Sequence, residues 1–397
     1  MAAHVKKLSN FKYNGHLFTT LWVILDESRS PPILSLLYTS FLSRYGVVYE
    51  SKELSISDGR NRIHSLEARD ISDSTIRAYV YNLSKFLNYL EECKKNHNTV
   101  GMHSSSTCSE QFVNRYLNTV LANELDSSTS LEAHCAALSA YFNWLEYMEI
   151  TPKLNLRIYR TTRQLMFSKS QKQHYIQYVS RYWRLELLKS CASQCEKLMM
   201  RMGSEVGLRS SELMGLRVSG KNDLCELFRK LDNTKYDMQD QFPYRLHGKY
   251  TKGSKSRWIY FQRQLLIDML RYYNTERKWL EKKGTSFDSS FFLRTDNRFS
   301  GTGIGPEQAS RVFHKRAKEA GLNPLLHFHD LRHTFATERF HEELSGPDGR
   351  ETRSESAALI VTAQLLGHSM GRDGKASPVT TRYIRMRLQM IELESNS

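Results

Sequence analysis

The stretch His329–Thr337 reads His-Asp-Leu-Arg-His-Thr-Phe-Ala-Thr and places two imidazole groups and one guanidinium group within little more than one helical turn. His329 and Arg332 are three residues apart, so on a helix they share one face. The guanidinium is always charged, and its planar donors fit phosphate oxygens. An imidazole can donate a hydrogen bond or move a proton near neutral pH. This pairing suits chemistry at a phosphodiester, but alone it fits equally well a helix whose polar face happens to carry His and Arg.

Three further motifs accompany this stretch. Gly207–Leu216 reads Gly-Leu-Arg-Ser-Ser-Glu-Leu-Met-Gly-Leu, Leu365–Ser369 reads Leu-Leu-Gly-His-Ser, and Thr380–Tyr383 reads Thr-Thr-Arg-Tyr. Their order, Arg, then His-x-x-Arg, then Leu-Gly-His, then Tyr, resembles the signature of the tyrosine recombinases, also called the phage integrase family. The resemblance covers residues 175–390 in detail and, more loosely, a helical region before them. Four motifs in the right order are far more specific than any one of them.

The resemblance implies a catalytic set. Tyr383 would attack a phosphodiester and leave a 3′-phosphotyrosine and a free 5′-hydroxyl, because a protein nucleophile divides one hard displacement into two easier ones. Arg209 and Arg332 would stabilise the charge that builds on the phosphoryl oxygens in the transition state. His329 and His368 would contact the same phosphate. Whether His329 acts as the base towards the tyrosine hydroxyl or as a hydrogen-bond donor stays open.

The resemblance also implies that a lysine on a β-hairpin turn protonates the departing deoxyribose oxygen. The stretch Thr251–Arg257 best matches the family's Gly-Lys-Gly-x-Lys-x-Arg turn, which puts Lys252 in that position. Lys249 and Lys255 are close enough in sequence to remain alternatives.

Other residues of these motifs would have supporting roles. Glu212 lies three residues after Arg209 and could orient it, the alternative being a surface salt bridge between the two. Asp330 is expected either at the start of a helix or as a residue that braces it. Fifteen residues separate His368 from Tyr383, and an insertion at 371–375 accounts for a gap longer than the family often has.

Composition favours a polyanionic partner. The chain has 397 residues, enough for two or three domains, and 57 Lys and Arg against 42 Asp and Glu give a net charge of +15. No apolar run approaches the roughly 20 residues that a membrane helix needs, and no signal peptide is recognisable. The six cysteines form no Cys-x-x-Cys pair, which favours free thiols in a reducing cytoplasm.

The pattern of apolar residues predicts the domains. From the candidate caps Ser72 and Ser74, apolar residues recur at helical spacing; further helices are expected over 108–125 and after the Ser127–Ser130 cluster. We predict four parts: an N-terminal extension and possible accessory DNA-binding segment (1–65), a helical core-binding domain (66–156), a linker without helical periodicity (157–174) and the catalytic domain (175–397). Within 1–65, a strand or two over Tyr13–Leu25 and a helix over Ile33–Tyr45 are expected.

The fold class that follows is mainly α with a small β-sheet, a helical core-binding domain being joined to a mixed α/β tyrosine-recombinase catalytic domain. In the catalytic domain, Tyr244–His247 and Trp258–Phe261 flank a turn rich in Gly and Lys, which predicts a hairpin. The apolar segment Ile384–Ile391 is expected to be a helix that docks onto a neighbouring protomer or back onto its own domain.

The function that follows is site-specific recombination or integration of a mobile element on double-stranded DNA. The resemblance implies a dimer on each core site and a tetramer during exchange, leaves room for an accessory directionality factor, and suggests a nucleoid-associated protein of prokaryotic or phage origin. No motif calls for a cofactor or a metal, since neither a phosphate-binding loop nor a clear carboxylate cluster is present. The alternatives are DNA relaxation of the type IB topoisomerase kind and a non-catalytic DNA-binding module.

Overall fold

The computed structural model describes residues 4–13, 15–55, 62–95, 104–171, 177–220, 223–251, 254–283, 288–296, 299–345, 353–367 and 386–393. The chain divides into two compact units, Met1–His174 and Tyr175–Ser397. Lys252, His368 and Tyr383 lie outside the described residues.

The first unit combines two antiparallel hairpins with a helical bundle. Its elements, in order, are β1 His4–Tyr13, β2 His16–Leu25, α1 Ile33–Tyr45, β3 Val47–Ser55, β4 Arg62–Asp70, α2 Asp73–Lys95, α3 Glu110–Arg115, a π-helical turn Tyr116–Leu121, α4 Ala122–Glu124, α5 Ser128–Tyr147 and α6 Arg160–Gln171. β1 pairs with β2, and β3 pairs with β4.

The helices predicted after residue 72 are present, and their apolar faces form the core of this unit. The Ser72 hydroxyl accepts a hydrogen bond from the Thr75 backbone N–H at 3.3 Å, at the start of α2. Phe86 of α2 is fully buried, and its ring lies 5.2 Å from that of Tyr116 and 6.0 Å from that of Phe142. The rings of Phe86, Tyr116 and Phe142 therefore serve as core.

The N-terminal extension packs against this bundle. Ile24, Tyr38 and Val48 are buried in the same apolar cluster as the residues of α2 and α5. The boundary that we placed after residue 65 falls inside β4, which pairs with β3 along its whole length. The β3–β4 hairpin was not predicted, because charged and hydroxyl side chains interrupt its apolar alternation.

The segment 157–174, expected to lack helical structure, contains α6. Met166 is buried in the core of the first unit, and the Lys169 ammonium donates hydrogen bonds to the carbonyls of Ala122 (2.8 Å) and Leu125 (3.3 Å). The prediction of a non-helical linker was wrong here. One deeply buried side chain and a lysine bound to the end of another helix hold α6 in place, and these contacts leave no apolar period in the sequence.

The second unit is mainly helical with one hairpin, as predicted. Its elements, in order, are α7 Arg181–Ser190, α8 Gln194–Glu205, a 3-10 turn Ser210–Gly215, α9 Leu224–Leu231, β5 Gln241–Leu246, β6 Arg257–Gln262, α10 Arg263–Tyr272, a π-helical turn Tyr273–Arg277, α11 Lys278–Lys283, α12 Gln308–Glu319, α13 Phe328–Leu344, α14 Glu355–Leu366 and a C-terminal helix at 386–393.

The predicted hairpin is confirmed. β5 and β6 pair antiparallel from Gln241 opposite Gln262 to Leu246 opposite Arg257. Gly248 begins the connection, and a Cβ there would lie 2.2 Å from the Ser254 carbonyl oxygen. A residue with a side chain would therefore force the turn open.

Helix α13 runs through the centre of the second unit. It packs against α8 and α14, and between residues 328 and 337 every side chain except that of His329 is buried. The C-terminal helix docks onto its own unit: Met386 and Met390 are buried with Phe340 of α13 and with Tyr178. Within the described residues, no helix combines the length and apolar character needed to cross a membrane.

Replacement of Phe86 by Ala should lower the free energy of unfolding by about 3–5 kcal/mol, because a large buried ring would leave a cavity between α2, α5 and the π-helical turn. Chemical unfolding followed by circular dichroism measures the change. Leu37→Ala, at a half-exposed position of α1, is the matched control and should stay within about 0.5 kcal/mol of the wild type. Equal losses from the two variants would contradict this assignment of the core.

Candidate active site

A tight turn brings Arg209 beside α13. Helix α8 ends at Glu205, and Gly207, two residues later, has a φ of +71°, which is readily available to glycine. A Cβ on Gly207 would lie 2.4 Å from Cδ1 of Phe335, so the chain passes directly against α13 at this point. Arg209 follows two residues later, at the start of the 3-10 turn.

Glu212 joins three arginines that are far apart in the sequence. Its carboxylate accepts hydrogen bonds from the Arg209 backbone N–H (2.9 Å), Arg209 Nη1 (2.7 Å), Arg257 Nη2 (2.7 Å) and Arg332 Nη1 (3.4 Å). The side chain of Glu212 has no exposed surface. The contact between Arg209 and Glu212 is therefore a buried one, and the alternative of a surface salt bridge does not fit.

The cluster formed by Arg209, Glu212, Arg257 and Arg332, here called the arginine cluster, carries an excess of positive charge. Burial raises the pKa of the Glu212 carboxyl, but the guanidinium groups of Arg257 and Arg332 outweigh burial, and the pKa lies below its usual value. Glu212 is therefore ionised at neutral pH. Three guanidinium groups share this single carboxylate, and Arg209 is the most exposed of them, with 23% of its side chain accessible.

Arg332 is held by backbone carbonyls. Its side chain is 1% exposed, Nη1 donates to the Gly207 carbonyl, and Nη2 donates to the Leu366 carbonyl at 2.6 Å. Arg332 thus ties the end of α8 to the end of α14. The sequence predicted its place in the site but not this depth of burial.

The first turn of α13 displays His329. This side chain is exposed, and its ring lies 4.4 Å from the ring of His333, which is buried. Asp330 accepts a hydrogen bond from the His327 backbone N–H at 2.8 Å and so caps the helix, as predicted. Burial raises the pKa of the Asp330 carboxyl.

The hairpin turn carries the candidate acids. Lys249 and Lys255 are exposed on it, and Lys252, which the resemblance favours, lies between the described residues Thr251 and Ser254. Arg257, at the start of β6, is the residue that our sequence reasoning left unassigned. Arg257 occupies the last position of the Gly-Lys-Gly-x-Lys-x-Arg turn motif, and this position could have marked it as a residue of the site.

In the chain before His368, the described residues extend as far as Gly367. Helix α14 ends there with φ +66°, the left-handed conformation common after a helix. A Cβ on Gly367 would lie 2.7 Å from Cδ of Arg257. The absence of a side chain at this position therefore permits the close approach of Arg257. Within the described ranges, no three His, Cys, Asp or Glu side chains are grouped so that they could hold a metal ion.

Two family models match this sequence. The model of the phage integrase family matches residues 184–345, and the model of the phage integrase, N-terminal SAM-like domain matches residues 63–149. Together they span more than half of the 397 residues. The chain belongs to the phage integrase family, the tyrosine recombinases.

Individual relatives are distant. The chain is 22% identical to Tyrosine recombinase XerD of Oceanobacillus iheyensis over 324 residues, which cover 81% of this chain and 91% of that protein. It is similar to a lambda integrase dimer bound to a COC′ core site, with 14% identity, 79% and 89% of the two chains covered, and a TM-score of 0.44. It is also similar to the Tn1549 transposon integrase in complex with transposon right end DNA, with 14% identity, 90% and 99% covered, and a TM-score of 0.48.

Glu212→Gln should lower the free energy of unfolding by about 3–5 kcal/mol at neutral pH, because it removes the one carboxylate that three guanidinium groups share. Since the pKa of Glu212 is lowered by folding, its contribution is fully present above the unfolded value of 4.5 and is lost as the pH falls through the lower folded value. Urea unfolding at pH 7 and at a series of pH values below 4.5 measures both effects.

The matched control for this prediction is Glu205→Gln. Glu205 pairs with Arg201 but has a third of its side chain exposed, and its loss should cost about 1 kcal/mol or less. A Glu212→Gln variant as stable as this control, or a difference from the wild type that grows as the pH is lowered, would contradict the role assigned to Glu212.

Proposed function

We propose that this tyrosine recombinase cuts and rejoins duplex DNA at specific sites through a covalent 3′-phosphotyrosine intermediate, and so integrates or excises a mobile element. The observation that carries the proposal is the convergence of Arg209 and Arg332 on the buried carboxylate of Glu212, beside a hairpin turn rich in lysine. Two cationic groups from distant motifs are thereby held together, as catalysis at one phosphate requires.

Cleavage is one displacement at phosphorus. The Tyr383 oxygen forms a bond to phosphorus, the bond from phosphorus to the 5′ oxygen breaks, and that oxygen takes a proton from Lys252. The tyrosine proton passes to His329 or to solvent, and His368 donates a hydrogen bond to the phosphate. Rejoining reverses these steps, with a free 5′-hydroxyl as the nucleophile, so the bond energy is conserved and no nucleotide is consumed.

The arginine cluster supplies the electrostatic part of catalysis. Because Arg332 is fixed by the carbonyls of Gly207 and Leu366, its charge is in place before the reaction begins and needs no reorganisation when negative charge develops. Arg209, which is partly exposed, hydrogen-bonds a non-bridging phosphate oxygen. The negative charge of Glu212 offsets the repulsion between the guanidinium groups of Arg209 and Arg332 and so holds them close together.

The remaining features fit a DNA-binding enzyme. The net charge of +15 favours DNA through neutralisation of phosphates. Both the helical first unit and the catalytic unit would contact the duplex, with two protomers on each core site, four during exchange and an accessory factor that sets direction. Action on chromosomal or phage DNA would place the protein in the cytoplasm, at the nucleoid.

Tyr383→Phe should abolish covalent capture of DNA, since phenylalanine has no oxygen that could bond to phosphorus. The probe is a duplex selected by the wild-type protein from a pool of random sequence and then nicked near the cleavage point, which lets the short strand diffuse away after attack. Denaturing gel electrophoresis should show a protein–DNA adduct for the wild type and none for Tyr383→Phe.

The matched control here is Tyr182→Phe, at an exposed tyrosine of α7, which should form the adduct at the wild-type rate. An adduct that persists in Tyr383→Phe would remove Tyr383 from the mechanism. Selective binding without an adduct, even for the wild type, would favour a non-catalytic DNA-binding module.

Relaxation of supercoiled plasmid separates a recombinase from an enzyme of the topoisomerase IB kind, because the two share the covalent chemistry and differ in their dependence on a site. We expect recombination products from plasmids that carry two copies of the selected sequence. A plasmid without that sequence should stay supercoiled over the same time. Equal relaxation of both plasmids by a monomeric protein would favour the topoisomerase.

A further inference from the structure

We infer that Arg257 is a positioning residue for strand cleavage, which places His368 by holding the end of α14 and ties that end to Glu212. This inference rests on the proposed function, because it concerns the same reaction. Arg257 belongs to the hairpin, whereas Glu212 and α14 belong to two other motifs of the site. One side chain therefore links all three.

The contacts of Arg257 are specific and buried. Nη2 donates to Glu212 at 2.7 Å, and Nη1 donates to the Leu365 carbonyl at 3.1 Å. The side chain is 8% exposed. A planar guanidinium can satisfy two acceptors in fixed directions, which the single ammonium group of lysine cannot reproduce.

The Leu365 carbonyl lies at the negative end of a helix. The last carbonyls of a helix have no partner within it, and cations stabilise that end. Arg257 binds the carbonyl of Leu365, while Arg332 binds the next one, that of Leu366. Two guanidinium groups thus fix successive carbonyls immediately before Gly367, and His368 is the next residue.

Gly367 makes this arrangement tighter. Gly367 has a left-handed conformation and ends α14. Because it has no side chain, Cδ of Arg257 can lie within 2.7 Å of the position that a Cβ on Gly367 would take. Displacement of Arg257 would therefore release the end of α14 and Gly367, which precedes His368 in the sequence. It would also loosen the start of β6, five residues after Lys252.

Arg277 offers a matched comparison. It is fully buried, donates to the carbonyls of Asp288 (2.7 Å) and Ser290 (3.0 Å), and pairs with Glu281 at 3.1 Å. Its bonds have the same chemistry as those of Arg257, but none of these partners belongs to a catalytic motif. A purely structural buried arginine should behave as Arg277 does.

The test measures single-turnover formation of the covalent adduct at saturating concentrations of the selected nicked duplex, together with the affinity for that duplex. Arg257→Gln should slow the adduct by about 10- to 100-fold, the range typical when a residue that orients a reacting group is lost, and should leave DNA affinity nearly unchanged. Arg257→Lys should stay close to Arg257→Gln, because it keeps the charge but not the two-pronged contact. Arg277→Gln, assayed at a temperature where circular dichroism shows it folded, should react at nearly the wild-type rate.

A double-mutant cycle with His368→Ala tests the route of the effect. If Arg257 acts by placing His368, then Arg257→Gln should slow the His368→Ala protein little further. A full multiplicative loss in that background, a wild-type rate for Arg257→Gln, or full recovery in Arg257→Lys would each overturn the inference. If Arg257→Gln does not fold, Gly367→Ala disturbs the same contact from the other side and should show the same slow adduct; a wild-type rate for it would count against the inference.

These outcomes are separate from a failure of the proposed function. If the wild-type protein forms no adduct with duplexes that it binds, the covalent mechanism itself fails. If the wild type forms the adduct and Arg257→Gln forms it equally fast, the covalent mechanism stands and the inference about Arg257 alone is lost.

Discussion

The buried carboxylate of Glu212 is the contact on which the rest of the site depends. Without it, the guanidinium groups of Arg209, Arg257 and Arg332 would repel one another in a region from which water is largely excluded. Burying a charge is costly unless it is paired and hydrogen-bonded, and the four hydrogen bonds to Glu212 satisfy that condition. The same bonds fix the relative positions of three segments that are far apart in the chain.

The architecture around this carboxylate explains how the proposed phosphate-binding surface can be both rigid and positive. Helix α13 supplies Arg332 from a nearly fully buried stretch and leaves His329 exposed at its first turn. The last two carbonyls of helix α14 accept hydrogen bonds from Arg257 and Arg332. The turn after α8 passes against Phe335 because Gly207 has no side chain. The positions of the charged groups are therefore set by packing of the core, which also supports the exposed side chains.

Much of this site could be predicted from the sequence, and the reasons are local. Arg209 and Glu212 are three residues apart, so their contact follows from spacing, and the capping role of Asp330 follows from its position. The contacts of Arg257 and the burial of Arg332 could not be predicted in this way. They join residues between 34 and 125 positions apart, and no periodicity within one element reports such distances. For the same reason α6, held by Met166 and by Lys169 bound to carbonyls, looked like a linker.

The structure of the trapped covalent complex with DNA, determined experimentally, would test the central claim most directly. We expect the phosphorus to be bonded to the Tyr383 oxygen, a non-bridging oxygen to accept a hydrogen bond from Arg209, and Glu212 to remain between Arg209 and Arg332. A phosphate bound to another residue, or a scissile phosphate remote from the arginine cluster with Glu212 no longer joining it, would contradict the account.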